Sequence, residues 1–352
     1  MEEKETKTYV KVDDLIKQAE DQFKQFIKDG KYKDLLLSMS NLNCYSVTNQ
    51  LLILKQFPTA TCVNGMKVWN YVHRNVIKGQ RAIKIIAPLK EIRKEEIQDE
   101  DGNVIDTKEI EVIGYKVSHV FDISQTEGRE LFEFKCDEKI AQEYFETIKN
   151  ALERVPRGYL VKYQDTERDG VDGYCDFNNK VIVIQDGMPY ERTLTTLVHE
   201  IGHALAETRV RTNFKGLTDK EKTEIREIEA ESIALVVSNR LGLHTQDFNI
   251  AYITKWADGE IEKFKSNVDV IRSVSYQILS SVEPAVQSAI RDKEKALESQ
   301  VQAVESTSNE DKTNTQENTN EAVNEPVNEP KAEEKPKTRK TTKSKTKEVE
   351  QC

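Results

Sequence analysis

The chain has 352 residues, of which 37% are hydrophobic, and a formal net charge of −10. That length can hold two ordinary domains with cores of their own. Five scattered cysteines (Cys44, Cys62, Cys136, Cys175, Cys352) without a CxxC pair argue against a disulfide framework and a cysteine-rich zinc site. No apolar run approaches the ~20 residues that cross a bilayer, and the charged start MEEKETKTYVKVDD lacks a signal-peptide core, so a cytoplasmic protein without a membrane partner is expected.

Residues 12–29 read as an amphipathic helix, with Leu15, Ile16, Ala19, Phe23, Phe26 and Ile27 on one stripe and Gly30 as its stop. A second helix covers about 43–56, closed by Pro58, and a third runs from Met66 to His73. Lys78-Gly79-Gln80 then turns into a strand over 82–87. The charged stretch 91–111, with Asp101-Gly102-Asn103 at its tip, reads as an exposed hairpin completed by 114–123. This first domain, 10–130, is α+β. Its charge is unusual: from Leu35 to Lys90 there is no Asp or Glu, while Lys55, Lys67, Arg74, Lys78, Arg81, Lys84 and Lys90 alternate with Tyr45, Phe57, Trp69 and Tyr71. Cations interleaved with aromatics and free of acids suit a surface that tracks phosphates and stacks bases. The plainer explanation is a core-rich segment that needed few charges.

A helix at about 137–153 and strands at 159–163 and 180–184 open a second domain, 137–300, with Asn178-Asn179 turning into the later strand. Then comes His199-Glu200-Ile201-Gly202-His203, set between Leu194, Leu197, Val198 and Ala204, Leu205, Ala206. Two histidines four apart on a helix project from one face. Both imidazoles can bind one zinc ion, and Glu200 beside them can reach a water on that metal. The helix 222–241, KTEIREIEAESIALVVSNRL, is the best source of a third ligand. Glu227 and Glu231 share a face there. We assign Glu227 as ligand and Glu231 as the group that orients a ligating histidine, with the reverse assignment open. Glu224 and Glu229 are expected to face solvent. A small sheet, a metal helix and a second helix with a carboxylate is the layout expected of zincin peptidases. Glu200 is then the general base that activates a zinc-bound water for peptide hydrolysis. Tyr190 and Tyr252 are candidate oxyanion donors, and His244 a conceivable extra ligand; His73 and His119 have no spacing that ties them to the metal.

Helical patterns continue to about 304. Beyond Glu305 the chain is rich in Glu, Asn and Thr, and residues 335–347 carry seven Lys or Arg and no acid. A tail at 305–352 with nothing to bury is expected to be disordered.

Several segments resemble the ArdC-type antirestriction proteins and their LtrC-like relatives. They are Ser46-Val47-Thr48-Asn49-Gln50-Leu51-Leu52-Ile53, Gln56-Phe57-Pro58-Thr59-Ala60-Thr61, Gly65-Met66-Lys67-Val68-Trp69, residues 76–88 and Val120-Phe121-Asp122-Ile123-Ser124-Gln125-Thr126-Glu127-Gly128. HEIGHA and Glu227-Ile228-Glu229-Ala230-Glu231-Ser232 are similar to that family's second part. The resemblance spans about 10–260 and implies a domain that binds single-stranded DNA, followed by a zincin-like metallopeptidase. It also implies carriage on a conjugative or integrated mobile element and protection of transferred DNA from restriction. The charged insertion at 91–111 and the tail depart from the family pattern.

The expected DNA contacts are Asn49, Gln56, Trp69, Lys78, Arg81 and Lys84, with phosphates on the cations and a base stacked on Trp69. The rival is a non-catalytic DNA-binding protein whose zinc only braces the second domain. A third reading is a regulatory protease that cleaves a repressor chosen by the N-terminal domain.

Overall fold

The computed structural model describes residues 11–98, 104–131, 134, 136–209, 214–243 and 261–314. The architecture is α+β. Contacts divide the chain into a compact unit, Met1–Glu294, and a second unit, Lys295–Cys352.

Helix α1 (Val12–Lys28) buries Leu15, Ala19 and Phe23, and Gly30 at φ 68° follows it. Helix α2 (Tyr32–Leu42) has no clear counterpart in the sequence pattern. It buries Tyr32, Leu35, Leu36, Met39, Ser40 and Leu42, so its apolar residues surround much of the axis and blur the 3.6-residue period. Helix α3 (Val47–Gln56) is capped by Ser46, whose Oγ accepts from Asn49 N, and so starts about four residues later than the spacing predicts. Strand β1 (Val63–Gly65), helix α4 (Met66–Tyr71) and strand β2 (Arg74–Val76) lead to the long strands β3 (Ile83–Gln98) and β4 (Val104–Asp122). These form an antiparallel pair in a sheet of order β1-β4-β3, and β2 pairs with β5 (Thr126–Gly128) in a separate ribbon. The predicted turn at Asp101-Gly102-Asn103 lies outside the described residues.

Where one helix is expected over 137–153, two occur, α5 (Glu138–Glu143) and α6 (Phe145–Glu153), interrupted at Tyr144. Strands β6 (Leu160–Tyr163), β7 (Gly173–Asp176) and β8 (Val181–Ile184) form a sheet of order β6-β8-β7; β6 runs parallel to β8 and β7 antiparallel. Helices α7 (Tyr190–Glu207) and α8 (Asp219–Arg240) follow. The last helix, Ile261–Asn314, continues past Glu305, where the composition alone suggests that order ends. Residues 305–314 are polar but contain no Gly or Pro to stop a helix already under way. The rest of the expected tail, and Tyr252 and His244, lie outside the described residues.

One core cluster joins α1 to α3 with the second half of the chain: Leu36 and Leu51 belong with Leu197, Val198, Val236, Val274 and Ile278. A smaller cluster, including Ile53, Val63, Ile83 and Val120, lies against the β1-β4-β3 sheet. No helix of the described residues is long and apolar enough to cross a membrane.

Candidate metal centre

Helix α7 carries His199 and His203 one turn apart, and close packing against α8 determines what they face. The backbone does this at Gly202, where an added Cβ would sit 3.4 Å from Ala230 Cα and 3.5 Å from Ile233 Cδ1. A methyl group there would sit in ordinary van der Waals contact, so the two helices are closely packed at this seam, with the small Ala230 opposite. A reciprocal cap at Thr218 and Glu221 starts α8. Arg226 on α8 then grips Glu207 at the end of α7, with Nε 2.8 Å from Oε2 and Nη2 donating to Oε1 at 3.0 Å. Farther along, Arg240 Nε donates to Glu283 Oε1 at 2.8 Å, which ties α8 to the last helix.

This packing brings Glu227 Oε2 within 3.6 Å of His199 Nε2 and 3.5 Å of His203 Nε2. The two Nε2 atoms are 3.0 Å apart. Two nitrogen ligands at ~2.05 Å on a tetrahedral ion stand about 3.3 Å apart. The three donor separations bracket that spacing, and the set of two imidazoles and a carboxylate could hold a divalent ion. The imidazoles hold the Glu227 carboxyl well below the usual carboxylate range.

Glu200 lies beside this group but is only 6% exposed. Burial raises its pKa to about 7; His199 opposes the shift and Glu227 adds to it. Glu231, by contrast, makes no hydrogen bond to either imidazole among the described residues. It acts on them through space, and partial burial of its carboxyl raises its pKa. Glu229, expected on the wet side of α8, is fully buried and faces the Tyr32 region. The helix is flanked on two sides, by α7 and by α2, so a single exposed face cannot be read from periodicity.

The donors open onto a cleft of about 370 Å³ whose opposite wall includes Tyr174, Cys175 and Phe177. These come from β7 and the turn after it, a segment absent from the sequence reading. At four residues, beginning with Gly and ending with Asp, β7 has little strand signal. Its position depends on Gly173, where a Cβ would come within 2.8 Å of Thr196 Cγ2 and 2.9 Å of Val183 O. Only glycine lets the strand lie so close to α7. Tyr190, a candidate oxyanion donor, is instead in the first turn of α7 with its ring against Phe145. Nine residues separate it from His199, about 13 Å along a helix axis.

The expected DNA contacts divide. Trp69 is fully buried, and its Nε1 donates to Phe121 O at 3.0 Å, so it cannot stack on a base. Asn49 donates from Nδ2 to Ile86 O at 2.8 Å and accepts at Oδ1 from Ile86 N at 2.9 Å. Gln56, two turns along α3, does the same for Lys84: Nε2 to O at 2.8 Å and N to Oε1 at 2.9 Å. Both amides therefore stand in for a neighbouring strand along the open edge of β3. Asn49 is half-buried in this arrangement, whereas Gln56 stays exposed. Lys78 and Arg81 are exposed and Lys84 is half-buried, so these three remain accessible. His119 is exposed on β4, and His73 follows α4.

Comparison with known proteins matches residues 6–121 to the N-terminal domain of anti-restriction factor ArdC and residues 157–272 to the IrrE N-terminal-like domain of the M78 peptidases. An uncharacterized protein of Bacillus anthracis, pXO2-81, is 22% identical over 301 residues, 76% of this chain; the chain spans 50% of that protein's length. Among solved structures, the antirestriction protein ArdC from the R388 plasmid is similar in two forms. The metal-free form shows 15% identity and a TM-score of 0.38, covering 68% of this chain and 85% of that one. The Mn(II)-bound form shows 14% identity and a TM-score of 0.45, covering 76% and 98%. The chain thus carries, in this order, a match to the ArdC N-terminal domain and a match to the IrrE N-terminal-like domain.

Proposed function

We propose that this protein binds single-stranded DNA through residues 10–130 and hydrolyses a peptide bond with the domain at 137–300, as a cytoplasmic antirestriction factor of a mobile element. The observation that supports the catalytic half is the convergence of His199, His203 and Glu227 beside a buried carboxyl in a cleft. These three residues would hold zinc. A bound divalent ion supplies Lewis acidity to the scissile carbonyl and to water. Glu200, with a pKa near neutrality, takes a proton from the attacking water at its carboxylate and delivers it to the nitrogen of the leaving amine. The edge strand β7 lines the cleft and could align an extended peptide along its open side. Glu231 biases the imidazoles electrostatically. For the DNA half, the support is the acid-free segment Leu35 to Lys90 with Lys78, Arg81 and Lys84 accessible.

The rival in which the metal is only a brace calls for a closed set of four protein ligands. Among the described residues the cluster has three donors, His199, His203 and Glu227, at the wall of a cleft, the arrangement that supports the catalytic reading. Metal content by mass spectrometry on the purified protein, with a DNA-protection assay in cells, tests the proposal. One zinc per chain is expected, lost in His203→Ala and kept in Glu200→Gln, with protection lost in both. Full protection by Glu200→Gln would end the catalytic reading, and manganese in place of zinc would correct the metal.

A further inference from the structure

A second cleft, about 660 Å³, opens where the end of α4 meets the chain leaving β5. Its frame is tightly built. His73 takes up a left-handed backbone, φ 61°, and its carbonyl accepts from Arg129 N at 3.0 Å. Gly128 passes so close, at φ 130°, that a Cβ there would lie 2.4 Å from His73 O. Arg74 spends its guanidinium on the same junction: Nε on Thr126 Oγ1 at 2.8 Å, Nη2 on Thr126 O at 2.8 Å and Nη1 on Arg129 O at 2.7 Å. A left-handed non-glycine residue, an obligatory glycine and an arginine bonded through all three of its nitrogens fix the frame before any ligand arrives.

On the lip of this frame stands Tyr71, 84% exposed, with no ring or hydrogen-bond partner among the described residues. Lys67, one turn earlier on the same face of α4, is also exposed and forms no ion pair among the described residues. Arg129 and Glu130 line the cleft beneath. A carboxylate beside an arginine is a poor receptor for phosphate, which only accepts hydrogen bonds. It suits the edge of a base, which both donates and accepts, and the exposed ring suits the base's π-face. The segment that carries Lys67 and Tyr71 has no acid from Leu35 to Lys90, as a polyanion requires.

We propose that this cleft takes one base of single-stranded DNA, stacked on Tyr71, with the base edge toward Arg129 and Glu130 and an adjoining phosphate toward Lys67. The proposal rests on the DNA-binding reading above and gives Tyr71 the stacking role that the burial of Trp69 denies it. Fluorescence anisotropy with a labelled thymidine 20-mer and with a duplex of equal length, on the full chain, tests it. Tyr71→Ala should weaken single-strand binding about tenfold and leave duplex binding unchanged, because duplex bases are already stacked. Tyr71→Phe should bind as the wild type does. Lys67→Ala should lower the salt dependence of single-strand binding by about 0.7 in log–log slope, one phosphate contact. Thermal melting of Tyr71→Ala should match the wild type, since the ring is outside the core. If the wild type binds and Tyr71→Ala binds equally well, or loses both nucleic acids alike, the stacking cleft is overturned and the DNA-binding reading stands. If the wild type binds neither, both fall.

Discussion

Two places in this molecule set polar side chains among apolar ones, and they use them oppositely. On α3 and α4, the amides of Asn49 and Gln56 and the indole of Trp69 are all bonded to backbone atoms of β3 and β4. Between α7 and α8, His199, His203 and Glu227 meet chiefly one another, around an opening to solvent. A side chain paired with backbone has its hydrogen-bonding capacity consumed by the fold. A group of acceptors that face one another still needs a cation or proton, and that need is what chemistry can use.

Breaking the first region should cost stability and spare the metal. Trp69→Ala removes a fully buried ring and should destabilise the protein by about 3–5 kcal/mol, read as a shift in the denaturation midpoint. Trp69→Phe should keep most of that stability and leave DNA affinity unchanged; a selective loss of DNA binding with the fold intact would restore the stacking role of Trp69.

The second region should show its need for a cation through pH. Glu200 has a raised pKa, so in the metal-free protein its contribution to stability is fully present below about 4.5, its ordinary value, and declines until about pH 7. The loss over that window is about 3 kcal/mol, and Glu200→Gln should abolish it. Denaturation curves of the metal-free pair at pH 5 and pH 8 measure this, and parallel behaviour of the two proteins would contradict the burial of that carboxyl. Glu227 has the opposite sign: its lowered pKa adds stability at neutral pH that is lost on acidification.

Smaller effects sharpen the contrast. Asn49→Ala leaves the half-buried backbone of Ile86 without its partner and should cost about 1–3 kcal/mol, while Gln56→Ala, where water can reach Lys84, should cost about 0.5–1.5 kcal/mol, both with metal content unchanged. Gly202→Val should separate α7 from α8 and weaken metal binding more than it lowers the melting temperature. Equal metal affinity would show that the Gly202–Ala230 contact does not set the position of Glu227.

Local geometry made much of this legible in advance. The helix period alone places His199 and His203 on one face with Glu200 beside them, and it puts Glu227 and Glu231 on one side of α8. Charge counting alone exposes the acid-free segment. Periodicity determines which residues share a face but not what that face meets. Which of Glu227 and Glu231 lies against the imidazoles awaited the packing of α7 on α8, and the buried position of Glu229 awaited a second neighbour for α8. The roles of Asn49, Gln56 and Trp69 depended on backbone atoms from strands 28 to 52 residues away, and β7, too short to announce itself, owed its place to Gly173. Contacts between distant segments are decided by close packing over the whole chain, and no local pattern encodes them.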